Sequence, residues 1–162
     1  MSRVTVTRVI PAPLDAVWSV FADIADRPAW LSEVDSVEML TPGEPRPGTR
    51  WRETRVDATG ARVAEELMVT DIEPDRSMTL TLAGEGEASH LVYEFVPIEV
   101  GELRGGTSVT ATVESRPHGL ANLLITFFLG EIAARSAEGH LREELDELAA
   151  AAVARSERHT AA

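Results

Sequence analysis

Two strand-like stretches of the sequence carry the polar residues best suited to chemistry in an apolar setting. Tyr93 is the only tyrosine of the chain, and Glu53 stands two positions after Trp51. Side chains two positions apart in a strand share a face, so Glu53 points inward if Trp51 does. Burial disfavours the charged form of a carboxyl group and raises its pKa, and such a group can act as a general acid or base. The catalytic candidates are therefore Tyr93, Glu53 and, across a predicted hairpin, Glu66.

The hairpin that brings in Glu66 is predicted to turn at Asp57–Gly60. A turn closed there sets Trp51 opposite Glu66. In the same pairing Arg52 faces Glu65, as an exposed cross-strand ion pair that contributes little to stability. The pairing leaves two apolar residues on the outer face, Leu67 and Val69. A β-bulge that shifts the register is the alternative.

Several other kinds of chemistry find no support in the residue types present. The chain has no cysteine and no lysine, which excludes thiolate nucleophiles, lysine Schiff bases and a P-loop lysine. No G-x-S-x-G nucleophile elbow occurs, and the glycines stand at turns rather than in a phosphate-binding loop. The histidines are scattered, without a second ligand at metal spacing: His90, His118, His140 and His159. We therefore predict no metal site and no cofactor.

Length and charge restrict the class of protein. A chain of 162 residues can form one domain that buries about 70% of its unfolded surface, and we predict a single domain over residues 1–155 with a frayed tail over 156–162. The net charge of −12 disfavours nucleic acid and anionic membrane surfaces as partners. No apolar run reaches the ~18 residues of a membrane span, and the N-terminus lacks the apolar segment of a signal peptide. These features predict a cytoplasmic protein.

The longest predicted element is a helix that follows a break at Pro117–Gly119 and runs to Ala152. Apolar and small residues recur along it every three or four positions, which places them in one stripe on one side. The stripe comprises Leu120, Leu124, Phe127, Gly130, Ala134, Ala137, Leu141, Leu145, Leu148 and Ala152. Its middle is small while both ends carry leucine or phenylalanine, so the helix should stand off from its neighbours in the middle. This pattern indicates the roof of an internal cavity; close packing of a core helix through its alanines is the alternative.

The chain before this helix is built mainly of strands. An N-terminal strand ends at Pro11, and two short helices with apolar residues at helical spacing follow, up to about Leu31. From Val34 to Ser115 apolar and polar residues alternate with period two, between turns rich in glycine, proline and aspartate. The pattern predicts six strands joined by hairpins and, together with the first strand, a seven-stranded antiparallel sheet.

Several short segments spread over nearly the whole chain form a recognisable set. They are Ile10–Pro13 with Val17 and Trp18, Asp23, Pro28–Trp30, Val69–Arg76, Tyr93–Pro97, Gly106–Thr110 and Pro117–Leu120. Together they resemble the START-like, or helix-grip, superfamily (SRPBCC), and within it the polyketide cyclase/dehydrase and lipid-transport branch. The resemblance implies an α+β helix-grip fold: a seven-stranded curved antiparallel sheet wrapped around a long C-terminal helix, with two short helices after strand 1. It also implies an apolar cavity between sheet and helix, in a fold that hosts carriers, enzymes and regulators.

A ligand in such a cavity would contact the inward residues of the strands and the stripe of the long helix. We predict these ligand-binding residues: Trp30, Trp51, Met78, Leu80, Leu82, Leu91, Tyr93, Phe95, Val109, Ala111, Val113, Phe127, Ala134, Ala137 and Leu141. A solid core made of the same side chains is the alternative. The hydroxyl group of Tyr93 needs a hydrogen-bond partner if it is buried, and that partner could be the ligand or the protein itself.

Three functions are compatible with this arrangement. The first is the binding of a small hydrophobic ligand, a lipid or a polyketide-like molecule, in the cavity. The second is an enzyme, a polyketide cyclase or dehydratase that uses Tyr93, Glu53 or Glu66 in the same cavity. The third is a protein-interaction or regulatory module. The start of the last helix is apolar on more than one face, so a homodimer or a mobile cavity entrance could use it: Leu123, Phe128, Leu129 and Ile132.

Overall fold

The computed structural model describes residues 2–56, 59–82, 89–115 and 133–161 of the chain. The strands in these ranges are β1 (Ser2–Ile10), β2 (Val34–Met39), β3 (Arg50–Val56), β4 (Arg62–Glu73), β5 (Ser77–Leu82), β6 (Ser89–Pro97) and β7 (Thr107–Ser115). The helices are α1 (Leu14–Ala22), α2 (Arg27–Trp30) and α3 (Ala133–Ala161), with a 3-10 turn at Ile24–Asp26 between the first two.

The strands form one antiparallel sheet in the order β1-β7-β6-β5-β4-β3-β2. Strands β2 to β7 are a meander, and β1 joins it beside β7. The register shifts between Val34 and Ser36 in β2 and between Val69 and Asp71 in β4. Such irregularities bend a sheet and increase its twist. The α+β fold expected from the sequence, a curved seven-stranded sheet with a long C-terminal helix and short helices after strand 1, is therefore confirmed.

The register predicted for β3 and β4 is wrong by one residue. Trp51 lies opposite Leu67, not Glu66, because Val56 pairs with Arg62 and the connection is one residue longer than expected. A slip of one residue moves every side chain of a strand to the other face. The observed pairing places Leu67, which is 1% exposed, in the interior, so burial of apolar surface favours it.

The inner face of the sheet carries the alternating apolar residues predicted for β5, β6 and β7. The following are buried in one hydrophobic cluster: Met78, Leu80, Leu91, Tyr93, Phe95, Val109, Ala111 and Val113. Helix α1 covers part of this face with two aromatic residues. The ring of Phe21 lies 4.6 Å from that of Tyr93 and 5.1 Å from that of Phe95, and Trp18 meets Phe95 edge-on at 5.2 Å. At this end the space between sheet and helices is filled by aromatic side chains in the tilted and edge-on geometries that such rings prefer.

Helix α3 packs its predicted stripe against the sheet and α1. Five stripe residues are at most 1% exposed: Ala137, Leu141, Leu145, Leu148 and Ala152. Burying each leucine contributes about 2 kcal/mol relative to leaving it in water. Among the described residues, no helix is both long and apolar enough to cross a membrane.

Two predictions about the last helix are not tested. Residues 116–132 lie outside the described ranges, and with them the predicted start of the helix and its apolar residues Leu123, Phe128, Leu129 and Ile132. A homodimer through that segment stays a prediction. Helix α3 continues through Ala161, and the domain boundary expected at residue 155 also stays a prediction.

Candidate functional site

Glu53 lies at the centre of a cluster of buried charged side chains on the inner face of the sheet. Its Oε2 atom accepts hydrogen bonds from Arg27 Nε and from Trp51 Nε1, both at 3.0 Å. Its Oε1 atom accepts one from Arg55 Nε at 2.7 Å, and Arg55 Nη2 lies 2.6 Å from the same oxygen. The side chain of Glu53 is fully buried, and both arginines are 3% exposed. Buried charges persist only when they are paired and hydrogen-bonded, and here each is.

Local sequence explains how these groups meet. The burial of β3 alternates strictly, so that Trp51, Glu53 and Arg55 all point inward while Arg50 and Arg52 point outward. Arg27 begins α2, directly after the 3-10 turn that follows α1. From this position its guanidinium group reaches Glu53 of β3.

The pKa expected for Glu53 is wrong in direction. Burial does disfavour its charged form, but the positive charges of Arg27 and Arg55 and the hydrogen bonds from Trp51 and Arg55 outweigh burial and lower the pKa to about 2. A carboxylate that holds a proton so weakly is a poor general acid or base near neutral pH. Glu53 is therefore best described as the residue that organises the cluster.

The cluster extends to the last helix through Glu33. Arg55 Nη1 lies 3.3 Å from Glu33 Oε2, and His140 Nε2 of α3 lies 3.0 Å from Glu33 Oε1. Burial alone would raise the pKa of Glu33, but the hydrogen bond and charge of His140, with the charge of Arg55, hold it below its ordinary value. The sheet and α3 are thus joined by a chain of polar contacts as well as by apolar packing.

Tyr93 finds its hydrogen-bond partner within the protein. Its hydroxyl group donates to Glu144 Oε1 of α3 at 2.8 Å, and both side chains are buried. Burial and the negative charge of Glu144 raise the pKa of the Tyr93 hydroxyl well above its usual value. The hydroxyl is consequently a neutral donor already in use, which makes it a structural contact between β6 and α3.

Glu65 is the acid of this region whose carboxyl oxygens are both unmatched. It lies directly opposite Glu53 in the β3–β4 pairing and is 4% exposed. Within the described ranges neither of its carboxyl oxygens has a hydrogen-bond partner. Burial raises the pKa of Glu65; Arg55 opposes this and the negative charges of Glu53 and Glu33 add to it, which brings the pKa to about 8. At neutral pH the group is mostly protonated, with one O–H donor to offer.

Among the described residues, the buried carboxyl groups outnumber the buried guanidinium groups. The buried acids are Glu53, Glu65 and Glu144, and the buried arginines are Arg27 and Arg55. Both arginines hydrogen-bond or ion-pair with Glu53, and Glu144 accepts from Tyr93. No three acidic or histidine residues of the described ranges form a group that could hold a metal ion. Of these three buried acids, Glu65 is the one whose carboxyl oxygens both lack a hydrogen-bond partner among the described residues.

The remaining residues predicted from the sequence lie outside this cluster or outside the described ranges. Glu66 points to the outer face, where its carboxylate contacts Arg50 and Arg52. The predicted ion pair between Arg52 and Glu65 is therefore wrong. Trp30 is half-buried against the core, and its indole N–H has no partner in the described part of the chain. The side chains of Leu82 and Ala134, and the whole of Phe127, lie outside the described residues.

Sequence reasoning missed most of the charged members of the site, and one usable signal existed. Arg55 stands two positions after Glu53, so the alternation that placed Glu53 inside also placed Arg55 inside. A register that buries Leu67 and Val69 also turns Glu65 inward, so giving their burial priority over turn length predicts Glu65 as a site residue. Arg27 carried no such signal, because its partner is 26 residues away along the chain.

Surface grooves are present elsewhere on the described residues. One of about 710 Å³ lies between the end of α1, the loop after β2 and the β4–β5 turn, where Trp18, Met39 and Ile72 form an apolar floor. Another of about 760 Å³ lies between the start of α1 and the end of α3. Glu65 lines neither of them, so a binding experiment must distinguish these grooves from the interior.

The curved seven-stranded sheet and the long C-terminal helix define a helix-grip α+β fold, and comparison with known families agrees. The family model "Polyketide cyclase / dehydrase and lipid transport" matches residues 1–153. The chain therefore belongs to this family, and its membership supports the binding of hydrophobic molecules in general.

Solved structures with the same fold include two bacterial proteins. TTHA0849 from Thermus thermophilus is similar with a TM-score of 0.64 at 23% identity, over 96% of this chain and 99% of that one. Protein CV1439 from Chromobacterium violaceum is similar with a TM-score of 0.64 at 17% identity, over 93% of this chain and 96% of that one. At these identities the likeness concerns the fold alone. No curated protein gives a significant match.

Proposed function

We propose that this protein binds a small hydrophobic ligand, lipid-like or polyketide-like, between the inner face of the sheet and helix α3. The single observation that carries the proposal is the carboxyl group of Glu65. A buried polar group normally has a hydrogen-bond partner, and an exception calls for an explanation. A ligand that lies against Glu65 supplies one.

The surroundings of Glu65 suit such a ligand. Leu67 and Val69 follow it along the same face of β4 and are 1% and 0% exposed. Beyond it on the same face Val63 is only half-buried. Sites for small organic molecules combine an apolar lining with a few placed polar groups. The family supports the same class of ligand.

A direct test uses a neutral fluorescent probe. N-phenyl-1-naphthylamine becomes fluorescent in apolar surroundings, and it avoids the repulsion that an anionic dye would meet from a protein of net charge −12. We expect saturable binding at one site, and a small molecule retained in native mass spectra of the freshly purified protein. Absence of both results would refute the proposal.

A matched pair of variants locates the binding. Val63→Phe adds an aromatic ring to the inner face beside Glu65, whereas Ala64→Phe adds the same ring to the exposed outer face one residue away. We expect Val63→Phe to weaken probe binding at least tenfold and Ala64→Phe to leave it unchanged, with both proteins folded by circular dichroism. Equal binding by both variants would place the probe in a surface groove and contradict an interior site.

A second candidate function, a cyclase or dehydratase, is favoured by one specific observation. The pKa of Glu65, raised by burial to about 8, lies close to the operating pH where a general acid or base works best. Glu65 would serve in place of Glu53 or Glu66.

General-base competence can be tested with 5-nitrobenzisoxazole. The ionised carboxyl group removes the proton from C3, the electrons of that C–H bond form the nitrile, and the N–O bond breaks to give 2-cyano-4-nitrophenolate. We expect the rate to rise with pH up to about 8 and to fall to background in Glu65→Gln, which cannot take the proton. Equal rates in the two proteins would remove the catalytic function.

A further inference from the structure

We propose that the protonated carboxyl group of Glu65 is the polar anchor of this site, and that the ligand is a hydrophobic molecule carrying a carbonyl oxygen that accepts its hydrogen bond. The inference rests on the proposed function and adds the chemical class of one end of the ligand. It follows from where Glu65 lies and from which contacts its neighbours already make.

Glu65 stands where the apolar wall of β4 meets the charged cluster of β3. On one side along its strand lies buried Leu67, and across the strand pair lies Glu53. A ligand held here places its apolar body against the wall and its polar end against the carboxyl group. The position therefore favours a molecule that is apolar over most of its length and polar at one end.

The other buried acids already accept hydrogen bonds from the protein. Glu53 accepts from Arg27, Arg55 and Trp51, and Glu144 accepts from Tyr93. Neither oxygen of Glu65 takes part in these contacts among the described residues. An acceptor from outside the chain would complete its hydrogen bonding.

The charges that face Glu65 decide which kind of ligand group fits. They are Glu53 and Arg55 of β3 and Glu33 of the segment before β2. The charged groups of α2 and α3 contact other members of the cluster: Arg27 pairs with Glu53, His140 with Glu33, and Glu144 accepts from Tyr93. The two arginines contact Glu53, and the carboxylates of Glu53 and Glu33 disfavour a further negative charge. Glu65 thus keeps its proton, and a protonated carboxyl group donates one hydrogen bond. A carbonyl oxygen, which only accepts, is the complementary group.

The test uses three probes of nearly the same shape: a ketone (2-acetylnaphthalene), a hydrocarbon (2-ethylnaphthalene) and an amine (1-(2-naphthyl)ethylamine). The affinity of each probe is measured by its displacement of N-phenyl-1-naphthylamine at pH 6.5, from the wild-type protein and from the Glu65→Leu and Glu65→Gln variants. A neutral hydrogen bond in a buried site changes affinity by about fivefold to tenfold. We expect the wild-type protein to bind the ketone more tightly than the hydrocarbon by that factor. The Glu65→Leu variant should bind both equally. The Glu65→Gln variant, whose amide can still donate a hydrogen bond, should keep the preference for the ketone.

The pH dependence of the ketone preference is a second measurement, and it would not change if Glu65 had only a structural role. At pH 9 the ketone preference of wild type should vanish, since Glu65 then loses the proton it donates, while that of Glu65→Gln should persist.

The possible failures are distinguishable. If no probe binds wild type, the proposed function itself is wrong and the anchor with it. If the hydrocarbon binds wild type as well as the ketone does, or if Glu65→Leu keeps the preference, the site stands and the anchor is refuted. Tightest binding of the amine at pH 6.5 would mean that Glu65 is ionised and pairs with cations, which also overturns the inference.

Discussion

Replacing Glu65 with glutamine should change how the stability of the fold depends on pH. The carboxyl group has a pKa of about 8 in the folded protein and an ordinary value of 4.5 in the unfolded chain. Because the folded pKa is the higher one, the stabilising effect of the bound proton is fully present below pH 4.5. It is lost progressively as the pH rises to about 8, and above that it is gone. The slope between these limits is about 1.4 kcal/mol per pH unit.

The size of the effect can be worked out for a convenient interval. From pH 5.5 to pH 7.5 the wild-type protein should lose about 2 to 3 kcal/mol of its free energy of unfolding through Glu65 alone. Glutamine does not titrate, so the Glu65→Gln protein lacks this loss. Urea unfolding of both proteins at several pH values gives the difference directly, and contributions from titrating groups that do not interact with Glu65 cancel when the two curves are subtracted.

A neighbouring glutamate provides the control. Glu66 follows Glu65 along β4 but points to the outer face, where it contacts Arg50 and Arg52. Glu66→Gln makes the same substitution on the outer face of the same strand, so comparison with it isolates the effect of the interior position. If wild type and Glu65→Gln lose stability in parallel between pH 5.5 and 7.5, or if the Glu65 carboxyl carbon titrates near pH 4.5 by nuclear magnetic resonance, the assignment of a buried neutral acid is refuted.

Two further predictions concern the contacts around this residue. Arg55→Met removes a cation that the buried carboxylate of Glu53 needs, and should lower the free energy of unfolding by about 3 to 5 kcal/mol in urea titrations; a loss below about 1 kcal/mol would show that Glu53 does not depend on it. Tyr93→Phe keeps the ring but removes the donor to Glu144, and should cost about 1 to 3 kcal/mol in the same measurement while the aromatic contacts with Phe21 remain. An unchanged stability would indicate that water replaces the hydroxyl.

The parts of the fold set by short repeating patterns were predictable from the sequence. Apolar alternation in β5 to β7 placed Met78 and Leu91 on the inner face, where both are buried. The three-four spacing of the last helix placed Leu141, Leu145 and Leu148 in contact with the core. These patterns work because the side-chain periods of a strand and a helix are fixed by backbone geometry.

The candidate site was harder to predict because it depends on register and on distant contacts. One residue of turn length decides whether Glu65 or Glu66 faces the interior, and the prediction chose the wrong one. The pKa of Glu53 was expected to rise, since nothing in the local sequence indicated that Arg27, 26 residues away, would contact it. Arginine is usually exposed, so an arginine in a sequence does not by itself indicate a buried ion pair.

The two glutamates that face each other across β3 and β4 differ in what they do for the fold. Glu53 is matched by two arginines and an indole N–H, so that its charge is compensated within the protein. Glu65 has no hydrogen-bond partner among the described residues and only the charge of Arg55 to oppose the effect of burial, and keeping its proton at pH 7 costs about 3 kcal/mol relative to the unfolded chain. Against a typical net stability of about 5 to 15 kcal/mol this is a large penalty, at a position whose neighbour on the same face is Leu67. An aliphatic residue at position 65 would make the fold more stable, and the proposed contact with a ligand is a physical reason for an acid there.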